Sequence, residues 1–250
     1  KIPTSPHQRF DTKEALIQAN LAYPFVWKSA QFGYDGTGVK IVRNQEDLNN
    51  LADTESIVEA LIPFKNELAV IVARNKEGET KTYPVVEMEF HPEANQVEYV
   101  ICPARISTAL QKEANQIATN LVRSFQSPGL FAVELFIDKS DRVWVNETAP
   151  RVHNSGHHSI EALATSQFEM LWQILLNEKL GPTNVQQPSI MVNIIGAPGY
   201  TGVAKLEGTD SITTKETFIH WYGKEITKPG RKMGHITCLG IIPEKAMETA

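Results

Sequence analysis

The chain has 250 residues, 42% apolar and 21% charged, which excludes a disordered segment and allows a sizeable buried core. Its formal charge of −5 gives no basic excess, so neither nucleic acid nor an anionic membrane is the expected partner. No apolar run approaches the roughly 18 residues of a membrane span, and the opening KIPTSPHQRF is not the pattern of a secretory leader. Cys102 and Cys238 lie in separate apolar runs, so buried thiols in a cytoplasmic protein are expected rather than a disulfide or a zinc site.

Hydrophobic periodicity predicts mixed α and β structure with more hairpins than βαβ crossovers. Asp11 is placed to cap a first helix over 11–21, and Asn44 precedes a second over 45–51. Between them, FVWKS and VKIV read as strands joined by the loop AQFGYDGTG. Strands dominate from Ser56: SIVEAL, ELAVIVAR, TYPVVEMEF and VEYVIC. An amphipathic helix over 108–125 follows, with Leu110, Ala114, Ile117, Leu121 and Val122 on one face, stopped by Ser127-Pro128-Gly129. Next come the hairpin FAVELFI–VWVNE and a second long helix over 159–177. The tail returns to strands in IMVNIIG, GVAKLEG, TFIHWYG and HITCLGI. The expected class is α+β. A small α+β lobe over 1–62 carries a glycine-rich flap, a larger antiparallel-sheet lobe with helices covers 63–195, and a β-rich segment covers 196–250.

Several residues stand out from this pattern as candidates for chemistry, each with a plain structural reading beside it: a hairpin tip, a strand register that leaves one glutamate at the solvent, a polar helix-cap loop, a surface glutamate or a solvated turn. Gly33, Tyr34, Asp35, Gly36, Thr37 and Gly38 form a loop whose glycines let backbone N–H groups approach a phosphate. A strand follows it rather than a helix, so it is neither a Rossmann nor a Walker turn. It reads as a flap over nucleotide phosphates or as a plain hairpin tip. Lys28 lies inside the apolar run PFVWKS, where a charge is costly unless it meets an anion, and a phosphate would serve.

Glu134 and Glu147 interrupt the two strands of the hairpin around 138–142. A four-residue loop sets them opposite each other, and a five-residue loop sets Glu134 opposite Asn146. Facing carboxylates repel unless a cation lies between them, and oxygen ligands of this kind suit Mg²⁺ beside nucleotide phosphates, with Asn146 as a neutral neighbour. Immediately after them, Arg151, His153, Asn154 and His157 gather a guanidinium, imidazoles and an amide at a helix mouth. That group suits a carboxylate-like or bicarbonate-like oxyanion. Glu59, Ala60, Leu61 and Ile62 could pass an adenine edge along backbone groups, with Glu67 offered to ribose hydroxyls. Lys224, Lys228, Arg231 and Lys232 form a basic cluster suited to a phosphate-bearing small substrate or to a solvated turn.

At these residues the sequence resembles the ATP-grasp family, in the branch that carboxylates aminoimidazole ribonucleotide in purine biosynthesis. The resemblance covers essentially the whole chain and rests on GYDGTG, PFKNELAVIVAR, AVELF, VNETAPRVHNSGHHSIEA, TSQFE and YGKEITKPGRKMGH. It implies a ligase that uses ATP, Mg²⁺ and bicarbonate through carboxyphosphate. Lys28 and the flap from Gly33 through Gly38 to Val39 would hold ATP phosphates. Glu59, Ala60, Leu61 and Ile62 would form the adenine hinge, with Glu67 on the ribose and His91 against the nucleotide. Glu134 and Glu147 would ligate the metal beside Asn146. Tyr34, Asp35, Lys224 and Arg231 would contact the ribonucleotide, with Asp35 assisting proton removal from its amine, while Arg151 and Asn154 would bind bicarbonate. The resemblance also implies a homodimer. The chain reads as the ATP-grasp portion of a longer enzyme, without the family's first, Rossmann-like domain and last elements. Rival readings are another ATP-grasp ligase, forming a formyl phosphate or carboxylating biotin, and a nucleotide-binding module without catalysis.

Overall fold

The computed structural model of the protein describes residues 1–31, 38–90, 96–209, 212 and 214–240. Pro3–Phe64 form one compact unit, and Lys1–Ile2 with Lys65–Ala250 form another.

The smaller unit contains β1 (His7–Phe10), α1 (Lys13–Gln18), β2 (Phe25–Ser29), β3 (Val39–Val42), α2 (Gln45–Asn49) and β4 (Ser56–Ala60). Its sheet runs β1-β4-β2-β3 with antiparallel neighbours. Alternation along β2 turns Phe25 and Trp27 to one face, where they pack with Phe10, Val42, Val58 and the helix residues Leu16 and Leu48. The first helix is shorter than 11–21. Thr12, not Asp11, accepts the Ala15 N–H as cap, and Asn20 turns left-handed at φ 47° after the last turn. Strand β1, absent from the periodicity reading, is an edge strand whose exposed residues show little apolar alternation.

From Lys65 the larger unit contains the rest of β5 (Phe64–Arg74), then β6 (Thr80–Thr82), β7 (Val86–Phe90), β8 (Val97–Cys102) and α3 (Thr108–Phe125). It continues through β9 (Gly129–Asp138), β10 (Val143–Ala149), a 3₁₀ turn (Asn154–Gly156), α4 (Ser159–Ala162) and α5 (Gln167–Leu175). The last strands are β11 (Ser189–Ile195), β12 (Gly202–Val203), β13 (Thr217–Trp221), β14 (Ile226–Thr227) and β15 (Lys232–Leu239). Among the described residues a nine-stranded sheet runs β10-β9-β5-β7-β8-β11-β15-β13, with β6 on β5. Strand β5 is apolar at consecutive positions because both its faces are covered. Leu68, Val70 and Val72 join the cluster that includes Ala114, Ala118 and Val122 of α3, while Ala69, Ile71 and Ala73 join that of Met170 and Ile174 of α5.

Two expectations change here. The helix over 159–177 is two helices, because Leu163 is extended and bridges Val185, and Ser166 starts a new helix through a capping box with Glu169. The described strands β13 and β15 of the β-rich segment continue the same sheet, with β15 pairing β11 and β13 pairing β15. The strand expected in GVAKLEG shrinks to Gly202–Val203.

Candidate active site

In the larger unit the hairpin of β9 and β10 sets the metal-binding candidates. Its loop closes through an Asp138 N–H to Arg142 carbonyl bond of 3.0 Å, and Ile137 pairs with Val143. That five-residue connection by itself would leave Glu134 facing Asn146. A β-bulge at Asn146 inserts one residue, so Val145 pairs with Leu135 and Glu147 pairs with Glu134. The bulge also changes which face β10 shows. Val143 and Val145 pack with the cluster under α3, whereas Ala149, two residues past Glu147, packs with the opposite cluster of Leu130 and Ala132. Glu147 thereby joins Glu134 on the second face.

The two acids differ in environment. The Glu134 side chain is 13% exposed and lies 3.5 Å from His153 Nε2, while Glu147 is exposed because β10 is an edge strand. No group of three or more His, Cys, Asp or Glu suited to a metal exists among the described residues. Two hard carboxylate groups, one of them exposed, still fit Mg²⁺, which keeps part of its water shell when it binds substrate phosphates.

The following segment wraps back along the same face. Asn154 and the buried Asn193 of β11 exchange amide hydrogen bonds of 2.8 and 2.9 Å, and Asn193 also donates to the Val97 carbonyl at 2.8 Å. Arg151 is exposed, with Nη1 donating to the Val152 carbonyl at 3.0 Å. His157 stacks on His235 at 4.9 Å, and His235 stacks on His220 at 4.5 Å and meets the Tyr222 hydroxyl at 2.9 Å. His220 in turn lies 2.6 Å from Glu161. Burial first, then the charges of His153, Lys232 and His220, pushes His157 down to about 4, and burial with its histidine neighbours takes His235 to about 3. Both shifts favour the neutral form of His157 and His235 at pH 7.

The basic cluster reaches this stack. Lys224 Nζ donates to the Lys232 carbonyl at 2.6 Å and lies 5.6 Å from the Tyr222 ring centre, and Arg231 Nη1 donates to the Ile226 carbonyl at 2.6 Å. Glu67 is partly buried on β5, and burial raises its carboxyl to about 7.

In the smaller unit, Lys28 meets an anion from its own chain: its Nζ is 3.0 Å from the Glu59 carboxylate, so the charge expected to seek phosphate is paired with a residue expected to serve the adenine hinge. Ala60 is also engaged, its N–H with the Pro6 carbonyl at 2.9 Å and its own carbonyl with Ser5 Oγ at 2.7 Å. The Ile62 carbonyl accepts from Phe64, with Leu61 between the two engaged residues. Gly38 takes φ +89°, a conformation costly for other residues, and its carbonyl accepts the Ser29 N–H at 2.8 Å before Val39 opens β3. Gly33, Tyr34, Asp35, Gly36, Thr37 and His91 lie outside the described residues.

Gln167, Asn193, Glu161, His220 and His235 were not singled out from sequence. A signal existed for two of them. Ser166 and Glu169 spell the start of a helix with Gln167 as its first residue, and Asn193 is a lone amide in the apolar run IMVNIIG, which must find partners if buried.

Residues 1–168 match the ATP-grasp domain model, and 189–249 match the phosphoribosylaminoimidazole carboxylase C-terminal domain. The N5-carboxyaminoimidazole ribonucleotide synthase of Synechococcus elongatus is 42% identical over 223 residues, covering 87% of this chain and 55% of that protein. The crystal structure of N5-carboxyaminoimidazole ribonucleotide synthetase from Thermotoga maritima superposes with a TM-score of 0.87 at 38% identity, covering 99% of this chain and 65% of that one. A synthase from Aspergillus clavatus, crystallised with ADP and 5-aminoimidazole ribonucleotide, gives 0.86 at 34% identity, with 99% and 67% covered. The chain thus spans between about half and two thirds of the proteins it matches.

Proposed function

The chain belongs to the ATP-grasp family, and from that premise we propose that it is the ATP-grasp portion of an enzyme that carboxylates 5-aminoimidazole ribonucleotide with ATP and bicarbonate. The observation that carries this reading is the facing pair Glu134 and Glu147, followed within one loop by Arg151, His153 and Asn154. Acids for a metal and donors for an oxyanion are what a bicarbonate-phosphorylating site requires side by side. Matches to synthases crystallised with nucleotide and with the ribonucleotide support it.

Bicarbonate oxygen attacks the terminal phosphate of ATP, giving carboxyphosphate and ADP. Mg²⁺ held by Glu134 and Glu147 would supply charge neutralisation to the phosphates. The exposed Arg151 guanidinium offers two parallel N–H donors to the planar bicarbonate, and Asn154, held by Asn193, lies three residues further along the same loop. Lys28 would disperse phosphate charge by exchanging its Glu59 partner for the anion. Lys224 and Arg231 would meet the ribonucleotide phosphate, and Asp35 would take the amine proton as the amine nitrogen bonds to the carboxyl carbon of carboxyphosphate and its C–O bond to phosphate breaks, giving 5-(carboxyamino)imidazole ribonucleotide and inorganic phosphate. The reading includes a homodimer and a cytoplasmic setting. The unbridged thiols of Cys102 and Cys238 agree with a reducing compartment, and no helix among the described residues is long and apolar enough to cross a membrane.

The test is phosphate release from MgATP with bicarbonate by the full-length enzyme that contains this chain, with and without aminoimidazole ribonucleotide. Release that requires the ribonucleotide supports the synthase. Release without it points to another carboxylating ligase, and tight MgATP binding with no release under either condition overturns the catalytic reading in favour of a binding module.

A further inference from the structure

Gln167 opens α5 and is fully buried, with its side chain spent entirely on the loop that carries Arg151, His153 and Asn154. Oε1 accepts the His153 backbone N–H at 2.9 Å, and Nε2 donates to the His153 carbonyl at 2.9 Å, so one amide grips one residue's backbone at two points. The orientation of the amide is settled by chemistry. A backbone N–H can only donate and a carbonyl can only accept, so a flipped Gln167 would lose both bonds.

The same nitrogen sits 2.9 Å from His157 Nδ1. With Nε2 committed as donor, Nδ1 must be the bare acceptor, which fixes His157 as the neutral tautomer protonated on Nε2. From below, the Gln167 backbone N–H donates to Ser159 Oγ at 2.9 Å, and Ser159 donates to the Gly156 carbonyl. A Cβ on Gly156 would come within 2.6 Å of Gln167 Oε1, so the loop has closed onto the amide as far as glycine permits. The His153 ring, carried by the gripped residue, is 3.5 Å from Glu134.

From this geometry we infer that Gln167 is a positioning residue for the proposed reaction: its amide sets the backbone of His153 and the ring of His157, and through them the placement of the Arg151–Asn154 donors beside Glu134. The inference deepens the carboxylation reading and rests on it for its kinetic part. The side-chain bonds of Gln167 go to His153 and His157 and not to Glu134 or Glu147, so its loss should fall on turnover rather than on MgATP affinity.

The experiment compares the wild-type chain, Gln167→Met and Gln167→Glu. Methionine keeps the buried volume and removes all three side-chain bonds, and glutamate keeps the acceptor for His153 N–H while losing both donors. Amide hydrogen exchange at His153 should accelerate about tenfold or more in the methionine variant and stay near wild type in the glutamate variant. The ¹⁵N signal of His157 Nδ1 should lose its pure acceptor character in the methionine variant, since nothing then selects the tautomer. Ribonucleotide-dependent kcat should fall about tenfold or more in both variants, with the MgATP Kd within about twofold of wild type. Unchanged His153 exchange and His157 tautomer in the methionine variant, or wild-type kcat in it, overturns the inference. The kinetic arm is read in the full-length enzyme that contains this chain; if its wild-type form releases no phosphate, the carboxylation reading falls, while exchange and ¹⁵N signals of the chain still decide whether the clamp exists.

Discussion

Glu134 and Glu147 stand opposite each other across β9 and β10, and a single extra residue, Asn146, is what brings them together. The loop length alone would have paired Glu134 with Asn146 and left Glu147 on the face of Val143 and Val145. The bulge shifts the pleat by one and turns the second acid to the side of the first.

Opposed carboxylates repel, and the exposed member can be neutralised with little loss of packing. Glu147→Gln is expected to leave the melting temperature in metal-free buffer unchanged or slightly raised. The same variant should lose about tenfold or more of the Mg²⁺-dependent part of nucleotide affinity. Thermal melts and ATP titrations with and without Mg²⁺ read both effects, and an unaltered Mg²⁺ dependence removes Glu147 from the metal site.

Glu67 carries a pH signature. Its carboxyl is raised by burial from 4.5 to about 7, so the folded chain holds the proton more tightly than the unfolded chain does. Stability is therefore fully present below the unfolded value and declines as pH rises through the window from about 4.5 to about 7, by at most about 3 kcal/mol. Glu67→Gln should abolish that decline and be the more stable protein at pH 8. Urea denaturation at pH 4.5 and 8 checks it.

Glu87 shows the opposite sign. Burial alone would raise its carboxyl, but hydrogen bonds and charge from Arg105, with a bond from Asn66, bring it below the ordinary value. Arg105 grips it from Nε and Nη2 at 3.0 Å each and also pairs with Glu89. Arg105→Met would leave Glu87, 5% exposed, without its cation, at a cost of about 3 kcal/mol at pH 7. The loss should shrink as pH falls below the unfolded carboxylate range, because the acid then protonates in both states. Denaturant midpoints for wild type and variant at pH 7 and pH 3.5 measure the difference.

Gly156→Ala tests how tightly the donor loop is packed. The new Cβ would lie 2.1 Å from Ile71 Cδ1 and 2.6 Å from Gln167 Oε1, both within a close-packed interior. A destabilisation of about 2 kcal/mol or more is expected from the forced shift. Equilibrium unfolding gives the number, and a neutral result would mean the loop can move away from α5.

Local signals settled much of this protein before any contact was known. The amphipathic spacing and the stop at Ser127-Pro128-Gly129 delimit α3 at Thr108–Phe125, and Asn44 caps α2. Most of the apolar strands read correctly because alternation and burial are properties of a few adjacent residues, whereas GVAKLEG keeps only Gly202–Val203 and TYPVVEMEF is divided between β6 and β7. The acids, the donor loop and the basic cluster could be named because charged residues inside apolar runs must meet something. Whom they meet depends on residues distant in the chain. Lys28 pairs with Glu59 across β2 and β4, Asn154 with Asn193, Lys224 with the Lys232 carbonyl, and His220 with Glu161. The break at Leu163 arises from a bridge to Val185, and the role of Gln167 from a loop ten to sixteen residues upstream that folds back over it. Periodicity carries no record of such partners, because hydrogen bonds and ion pairs are satisfied in three dimensions, and only tertiary packing decides which of several compatible partners lies within reach.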